Sequence, residues 1–255
     1  MTKLPKTPSF RLDDRRVLVT GAGRGIGLAA AAALADAGAH VVLAARTKAE
    51  IEAAAAAIRD QGGSAEALVI DVTDAIQVKA AIGAQAPFHV LVNNAGGNRP
   101  QPFLEFKTED LDFLLDLNVR SAFIVAQAVA KRMVETETKG SLIHVSSQMA
   151  FITGPGRSVY CGTKAALEGM SRGIATELAP HGIRSNTLCP TFIETPMSAP
   201  FLRDKALKDF VLSKIKLGRI GQVEDLMGAI VYLASDASGL MTGTHLLVDG
   251  GWTLG

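Results

Sequence analysis

A doubly wound α/β fold is predicted by three observations. Short apolar runs alternate with longer segments of helical period, glycine or polar turns separate them, and most of the short runs carry aliphatic residues on consecutive positions. Consecutive apolar residues mark strands covered on both faces, which is the condition of a parallel sheet joined by right-handed helical crossovers. The prediction is a seven-stranded, mostly parallel sheet with helices on both faces.

The strands follow in order. Arg16–Thr20 precedes a glycine-rich turn and a helix opening near Gly25, and His40–Ala45 precedes a helix near Thr47 in which residues 53–57 are all alanine, a strong helix former. A third strand at 65–70 leads to a helix near Ala75, and Val90–Asn93 leads to one near Asp110. Strands at 141–146 and 184–188 are followed by helices near Arg157 and Gln222, and His245–Val248 closes the pattern. Between 190 and 217 the periodicity weakens and Pro190, Pro196 and Pro200 occur, which predicts an excursion from the sheet that covers a site. No linker, composition shift or repeat divides the chain, so residues 1–255 are expected to form one domain, a length sufficient for a sizeable core.

Composition narrows the function classes. A net charge of +1 without a basic run argues against nucleic acid or an anionic membrane as the main partner. Cys161 and Cys189 are too few for a disulfide framework and lack a CxxC spacing, so reduced thiols are expected. The first residues carry charge and proline where a signal peptide needs an apolar stretch, and the most apolar region, 27–45, is broken by Asp36, Gly38 and His40. A soluble cytoplasmic protein is the expectation. Five scattered histidines show no ligand spacing, and no metal is expected.

The turn Gly21-Ala22-Gly23-Arg24-Gly25-Ile26-Gly27 follows the first strand and opens a helix, where backbone N–H groups and the positive helix end stabilise a pyrophosphate. This is the Rossmann-like feature of the chain. The spacing is Gly-x-x-x-Gly-x-Gly rather than G-x-G-x-x-G, and no Gly-Lys-Ser/Thr sequence marks an NTPase phosphate loop. A glycine turn that binds nothing is the alternative. At the end of the second strand, about 20 positions on, where NAD-binding folds carry an acid, stands Ala45, followed by Arg46 and Thr47. Arg24 and Arg46 are therefore placed to meet a 2′-phosphate, and NADP(H) is expected over NAD(H), with NAD still possible; a solvated arginine beside an N-capping Thr47 is the other reading of Arg46. Asp71, with Val72, either faces an adenine amino group or serves with Asp74 as a helix cap. Asn94, Ala95 and Gly96 after the fourth strand offer a close backbone approach to the nucleotide, and their amides a tie between strands.

Tyr160 and Lys164 lie four apart in a helical stretch, which puts phenol and ammonium on one face and favours the phenolate. A ketone reduced by hydride needs a proton on its oxygen, and an ordinary phenol with a pKa near ~10 exchanges it poorly at neutral pH. Ser147, at the carboxyl end of the fifth strand, is placed to hydrogen-bond the substrate oxygen, with Ser146 as its rival. Asn118 reads from the residues alone only as a polar interruption of its helix, contacting backbone carbonyls.

The ordered set of glycine turn, Asn-Asn-Ala-Gly, Ser147 and Tyr160-x-x-x-Lys164 resembles the short-chain dehydrogenase/reductase family, in overall pattern its 3-oxoacyl-carrier-protein reductases and gluconate 5-dehydrogenases, from Val17 to Gly251. That resemblance implies an oxidoreductase interconverting a ketone and a secondary alcohol. By it Tyr160 is the general acid/base, Lys164 lowers the tyrosine's pKa and holds the nicotinamide ribose, Ser147 (thirteen positions before Tyr160) orients the carbonyl, and Asn118 supports a proton-relay water. It also puts the nicotinamide carboxamide near Pro190, Thr191, Ile193 and Thr195; Pro-Gly is usual where this chain has Pro190-Thr191, so Thr191 either offers its hydroxyl or only restricts the loop. A homotetramer is implied as well, built through the fourth and fifth helices and the last strand.

Substrate choice falls to the loops at 97–102, 148–157 and 192–204. Their arginines, Arg99, Arg157 and Arg203, either clamp a carboxylate or phosphate or are solvated, the commoner case. Met149, Phe151, Phe192, Met197 and Phe201 either line an apolar pocket or pack the loops, and the substrate itself is not readable. Outside the expected NADP(H) ketone reductase stand a sugar-acid dehydrogenase using NAD(H) and a nucleotide-sensing binding protein without turnover, against which the intact Ser147, Tyr160 and Lys164 argue.

Overall fold

Seven strands lie in one sheet in the order β3-β2-β1-β4-β5-β6-β7 in a computed structural model that describes residues 2–254. They are β1 Arg16–Thr20, β2 His40–Ala45, β3 Ser64–Val69, β4 Val90–Asn93, β5 Gly140–Val145, β6 Ile183–Pro190 and β7 His245–Val248. All six pairings are parallel, so the expected "mostly parallel" sheet is parallel throughout. The sequence order reverses at β1, where Val17 pairs with Val41 of β2 on one side and Val90 of β4 on the other. Ligand crevices of open α/β sheets lie at the carboxyl ends of the strands beside such a reversal.

The consecutive apolar residues divide between two faces. Val17 and Val19 pack with Ala30 and Leu34 of α1 (Gly25–Asp36) and Leu226 and Ile230 of α9 (Glu224–Ala234). Leu18, between them, packs on the opposite face with Val78 of α3 (Ala75–Gly83) and Val125 and Val129 of α5 (Ser121–Glu135). The period-two geometry of a strand sends neighbours to opposite faces, so each run needs both covers. Helix α2 (Lys48–Asp60) adds Ile51 and Ala54 to the first layer, and α6 (Ser158–Leu178) borders the sheet beside β6.

Helix α4 (Thr108–Leu115), a π-helical turn at Asp116–Arg120 and α5 form one continuous helix. By length and composition Thr108–Glu135 would reach across a bilayer, but half of its most apolar window, 50%, is buried within the fold. Its π turn carries Asn118, which is 1% exposed, toward α6.

The excursion after β6 contains two helices that the weak periodicity concealed, α7 (Ala199–Leu202) and α8 (Lys205–Lys214). Asp204 caps α8, accepting from the N–H groups of Ala206 and Leu207 at 2.9 and 3.2 Å. α8 buries only Val211 of its own length. It rests on the C-terminal segment, where Val211 and Ile215 meet Trp252, whose ring stacks on Phe192 at 5.7 Å. A helix whose apolar stripe serves so small a satellite core shows little hydrophobic period in sequence.

Candidate active site

The turn after β1 is built to let a ligand reach the start of α1. Gly21 and Gly25 have φ of 64° and 57°, a left-handed backbone that favours glycine, and a Cβ on Gly27 would stand 2.2 Å from the Gly21 carbonyl oxygen. No side chain caps α1, and its first turn carries no acid, so its free N–H groups and positive end face the groove. Asn94 anchors the turn from β4, its Nδ2 donating to the Thr20 and Gly21 carbonyls at 2.9 and 3.2 Å, while the Ala95 N–H donates to the Thr20 hydroxyl at 3.0 Å. These amides tie the strand ends as expected. Thr195 of the excursion lies over Gly25, 3.4 Å from where its Cβ would be.

The groove continues past Ala45 and Arg46 to Ile70 and Val72. Arg46 is 70% exposed at its side chain and 4.0 Å from Asp71; Arg24, equally exposed, is 3.8 Å from Glu50. Exposed pairs of this kind hold together weakly, typically by under ~1 kcal/mol, so both guanidinium groups are available to a stronger anion. Asp74 proves to be the cap of α3, accepting from Ile76 and Gln77. Asp71 instead accepts from the N–H and hydroxyl of Thr73 at 3.0 and 2.8 Å. Burial works to raise the Asp71 carboxyl, but those bonds and Arg46 hold it below its ordinary value. Thr47 stands at the N-cap position of α2, yet its hydroxyl makes no capping bond.

Beyond the groove a cavity opens among Ser147, Gln148, Arg157, Tyr160, Lys164 and Thr191. The two serines after β5 separate cleanly. Ser146 Oγ donates to the Lys164 carbonyl at 3.3 Å, whereas Ser147 Oγ accepts from the Met149 N–H at 3.1 Å and keeps its own hydrogen for the cavity. Lys164 Nζ lies 5.6 Å from the centre of the Tyr160 ring and donates to the Val145 carbonyl at 2.9 Å. Burial pushes the ammonium down to about 8, with Cys189 and Glu168 pulling the other way.

The phenol departs from expectation. Burial raises Tyr160 above its ordinary value, and the groups opposing that rise are the Ser147 hydroxyl and Arg157 rather than Lys164. Asn118 also differs from a free water ligand. Its Nδ2 donates to Gly97 O at 3.0 Å and Thr163 Oγ1 at 3.1 Å, and its Oδ1 accepts from Gly97 N at 2.8 Å. The amide thus clamps the strand-end loop to α6.

Pro190, Thr191 and Ile193 line the same cavity, and the buried Thr191 Oγ1 has no hydrogen-bond partner among the described residues. Three residues that sequence reasoning passed over also matter. Glu168, 5% exposed, stands one turn beyond Lys164 and accepts from Thr187 Oγ1 at 2.8 Å and Cys189 Sγ at 3.3 Å. Its spacing of four from Lys164 was the available signal. Gln148 is 1% exposed with neither amide atom partnered among the described residues, and Glu50 fills the space beside Gly23.

Of the loop arginines, Arg99 is paired with Asp110 and lies 3.7 Å over the Phe113 ring, and Arg203 is exposed. Arg157 is buried at 9% exposure.

Comparison with known proteins agrees with this geometry. The family model described as enoyl-(acyl carrier protein) reductase matches residues 21–253. D-erythrulose reductase of Gallus gallus is 40% identical over 245 residues, 96% of this chain and 98% of that protein. Gluconate 5-dehydrogenase of Gluconobacter oxydans (strain 621H) is 38% identical, covering 96% and 97%. The crystal structure of a gluconate 5-dehydrogenase from Burkholderia cenocepacia J2315 in complex with NADP and tartrate superposes with a TM-score of 0.93 at 38% identity, covering 96% and 98%. The chain belongs to the short-chain dehydrogenase/reductase family.

Proposed function

We propose that the protein is an NADP(H)-preferring oxidoreductase that interconverts a ketone and a secondary alcohol, with Tyr160 as its general acid/base. The observation that carries this reading is the meeting of Tyr160, Ser147 and Lys164 at one cavity that continues into a groove ending on an uncapped helix start. The groove fits the cofactor: the glycine turn admits a pyrophosphate, Arg24 and Arg46 suit a 2′-phosphate, and the orphan Thr191 hydroxyl suits a carboxamide. When bound, the nicotinamide supplies hydride in reduction and accepts it in oxidation.

The residues handle the proton. Ser147 donates its free hydrogen to the substrate oxygen and holds it against Tyr160. A raised phenol pKa keeps Tyr160 protonated at neutral pH, ready to protonate the alkoxide as charge develops. The Ser147 hydroxyl and the Arg157 guanidinium favour the phenolate left behind, and the Lys164 ammonium beside the ring would hold the nicotinamide ribose. With its side chain committed to Gly97 and Thr163, Asn118 offers a relay water only its main-chain carbonyl, and its amide positions the loop.

The neighbours' bound NADP and the relatives' names, which include a ketose reductase and a sugar-acid dehydrogenase, support a small polyhydroxylated substrate. The same reading treats residues 1–255 as one dinucleotide-binding domain with 190–217 as its lid. It places the enzyme in the cytoplasm, consistent with two unpaired cysteines, and assembles it as a homotetramer through the long helix of α4 and α5, where Phe123 is 47% exposed, through α6 and through β7. The test is Tyr160→Phe, assayed by NADPH absorbance over a panel of ketoses, oxo acids and 3-oxoacyl thioesters. Turnover should fall by ~10² to 10⁴-fold with NADPH binding retained. Full turnover in that variant would sink the assignment.

A further inference from the structure

We propose that Arg157 is the anion-binding residue of the substrate cavity, so that the physiological substrate is a hydroxylated ketone or alcohol bearing a carboxylate. The proposal rests on the oxidoreductase reading above and narrows its substrate class.

Three features make Arg157 costly to keep where it is. It is 9% exposed, and among the described residues its guanidinium has neither a hydrogen bond nor an ion pair. The guanidinium nitrogens stay open to the cavity, so this largely enclosed charge has only what enters the cavity as a possible ionic partner. It also stands at the N-cap position of α6, where the positive end of the helix repels a cation rather than attracting it. Burial accordingly pushes its pKa down, though arginine stays charged at neutral pH. What the protein offers it is the face of Phe201, 5.2 Å from the guanidinium carbon to the ring centre. A missing anion accounts for all three.

The cavity around it fits that anion. Among the described residues its lining contains two cations, Arg157 and Lys164, and no Asp or Glu. Lys164 spends one hydrogen on the Val145 carbonyl and stands 5.6 Å from the Tyr160 ring centre, which leaves Arg157, without a hydrogen bond among the described residues, as the freer charge. Its planar fork matches the two oxygens of a carboxylate. Arg157 lines the same cavity as Ser147 and Tyr160, whereas Arg24 and Arg46 line the groove, which puts the carboxylate subsite with the proton-handling residues rather than with the nucleotide phosphates. Gln148, next to Ser147 with both amide atoms orphaned, supplies a donor and an acceptor for a hydroxyl between the two. Arg99 and Arg203, engaged by Asp110 and exposed respectively, do not compete for the role.

The test uses tartrate and threitol, the same four-carbon 2,3-dihydroxy chain ending in carboxylates or in neutral hydroxymethyl groups, titrated calorimetrically into the NADP-saturated protein. Tartrate should bind the wild type at least ~10-fold more tightly than threitol. In Arg157→Met that ratio should fall to within about threefold, and Arg157→Lys should keep part of it. Equal binding of tartrate and threitol by the wild type would overturn the proposal. So would an undiminished ratio in Arg157→Met that still binds NADPH, because the charge would then act only through Tyr160. Turnover of 5-oxogluconate and D-erythrulose is measured in parallel. Tartrate preference without any turnover would refute the oxidoreductase reading while leaving the anion site standing, and turnover without tartrate preference would do the reverse.

Discussion

Lys164 Nζ donates to the carbonyl of Val145 at 2.9 Å, fastening α6 to the last residue of β5 two positions before Ser147. The ammonium and the serine hydroxyl are thereby placed by one short stretch of backbone, which is the rigidity a proton-transfer site needs. Burial brings Lys164 down to about 8, and Glu168 opposes that fall; Cys189, itself pushed up to about 12 by burial, stays an uncharged thiol at neutral pH.

The pH profile should register this arrangement. Lys164 is charged below about 8 and loses its proton as pH rises through that value, so reductase activity should decline on the alkaline side from about 8. Replacing the carboxylate by Glu168→Gln removes the group that holds the proton on, and the alkaline limb should move to lower pH by up to ~1 unit. Initial rates across pH 6 to 10, roughly the span of the groups involved, check both. An unmoved limb in a folded Glu168→Gln would mean that the carboxylate serves only to tie Thr187 and Cys189 to the helix.

In the proposed cofactor reading the 2′-phosphate falls to Arg46, whose neighbour Asp71 lies 4.0 Å away. Arg46→Asp would set two carboxylates beside the 2′-position, removing a charge-assisted contact and adding a repulsion. The preference for NADPH over NADH should fall by ~10 to 100-fold or reverse, read as the ratio of kcat/KM for the two nucleotides.

The central strands were legible because they bury both faces, so that Val17, Leu18 and Val19 all had to be apolar, and a run of that kind stands out in any sequence. Ser147, Tyr160 and Lys164 were legible because strand ends and helical spacing bring them together by local geometry. Glu168 was not, since what makes it notable is contact with Thr187 and Cys189 on β6, a long-range pairing with no local period. Arg157 shows the same limit from another side. Three arginines in three loops look alike in sequence, and only tertiary packing separates the one paired with Asp110 and the one in solvent from the one enclosed without an anion.

Gly27→Ala sets two effects against each other. Alanine is the better helix former by about 1 kcal/mol, and Gly27 lies in the first turn of α1. Its Cβ, however, would meet the Gly21 carbonyl oxygen at 2.2 Å and Asn94 Nδ2 at 2.5 Å, and the first of these is backbone that cannot rotate away. The clash should win, with the variant destabilised by ~1 to 3 kcal/mol and NADPH binding weakened as the turn shifts. Thermal melts with and without NADPH separate the two consequences: lost stability lowers both midpoints, and a damaged nucleotide site removes the gap between them.

His144 governs acid stability from the middle of the sheet. It is fully buried in β5, with Asn93 Nδ2 at 3.5 Å from its Nδ1, and burial lowers its pKa from the usual 6.5 to about 4. The folded protein therefore keeps the ring neutral while the unfolded chain takes up a proton as pH falls below 6.5. Stability should be insensitive to this residue above that pH and should drop progressively between 6.5 and about 4, by about 3 kcal/mol from His144 alone. Urea midpoints at pH 7, above the window, and near pH 5, roughly in its middle, measure about 2 kcal/mol of that loss, and His144→Asn should flatten the dependence even if it lowers stability at both values. An identical slope in wild type and variant would assign the acid sensitivity to the carboxylates instead.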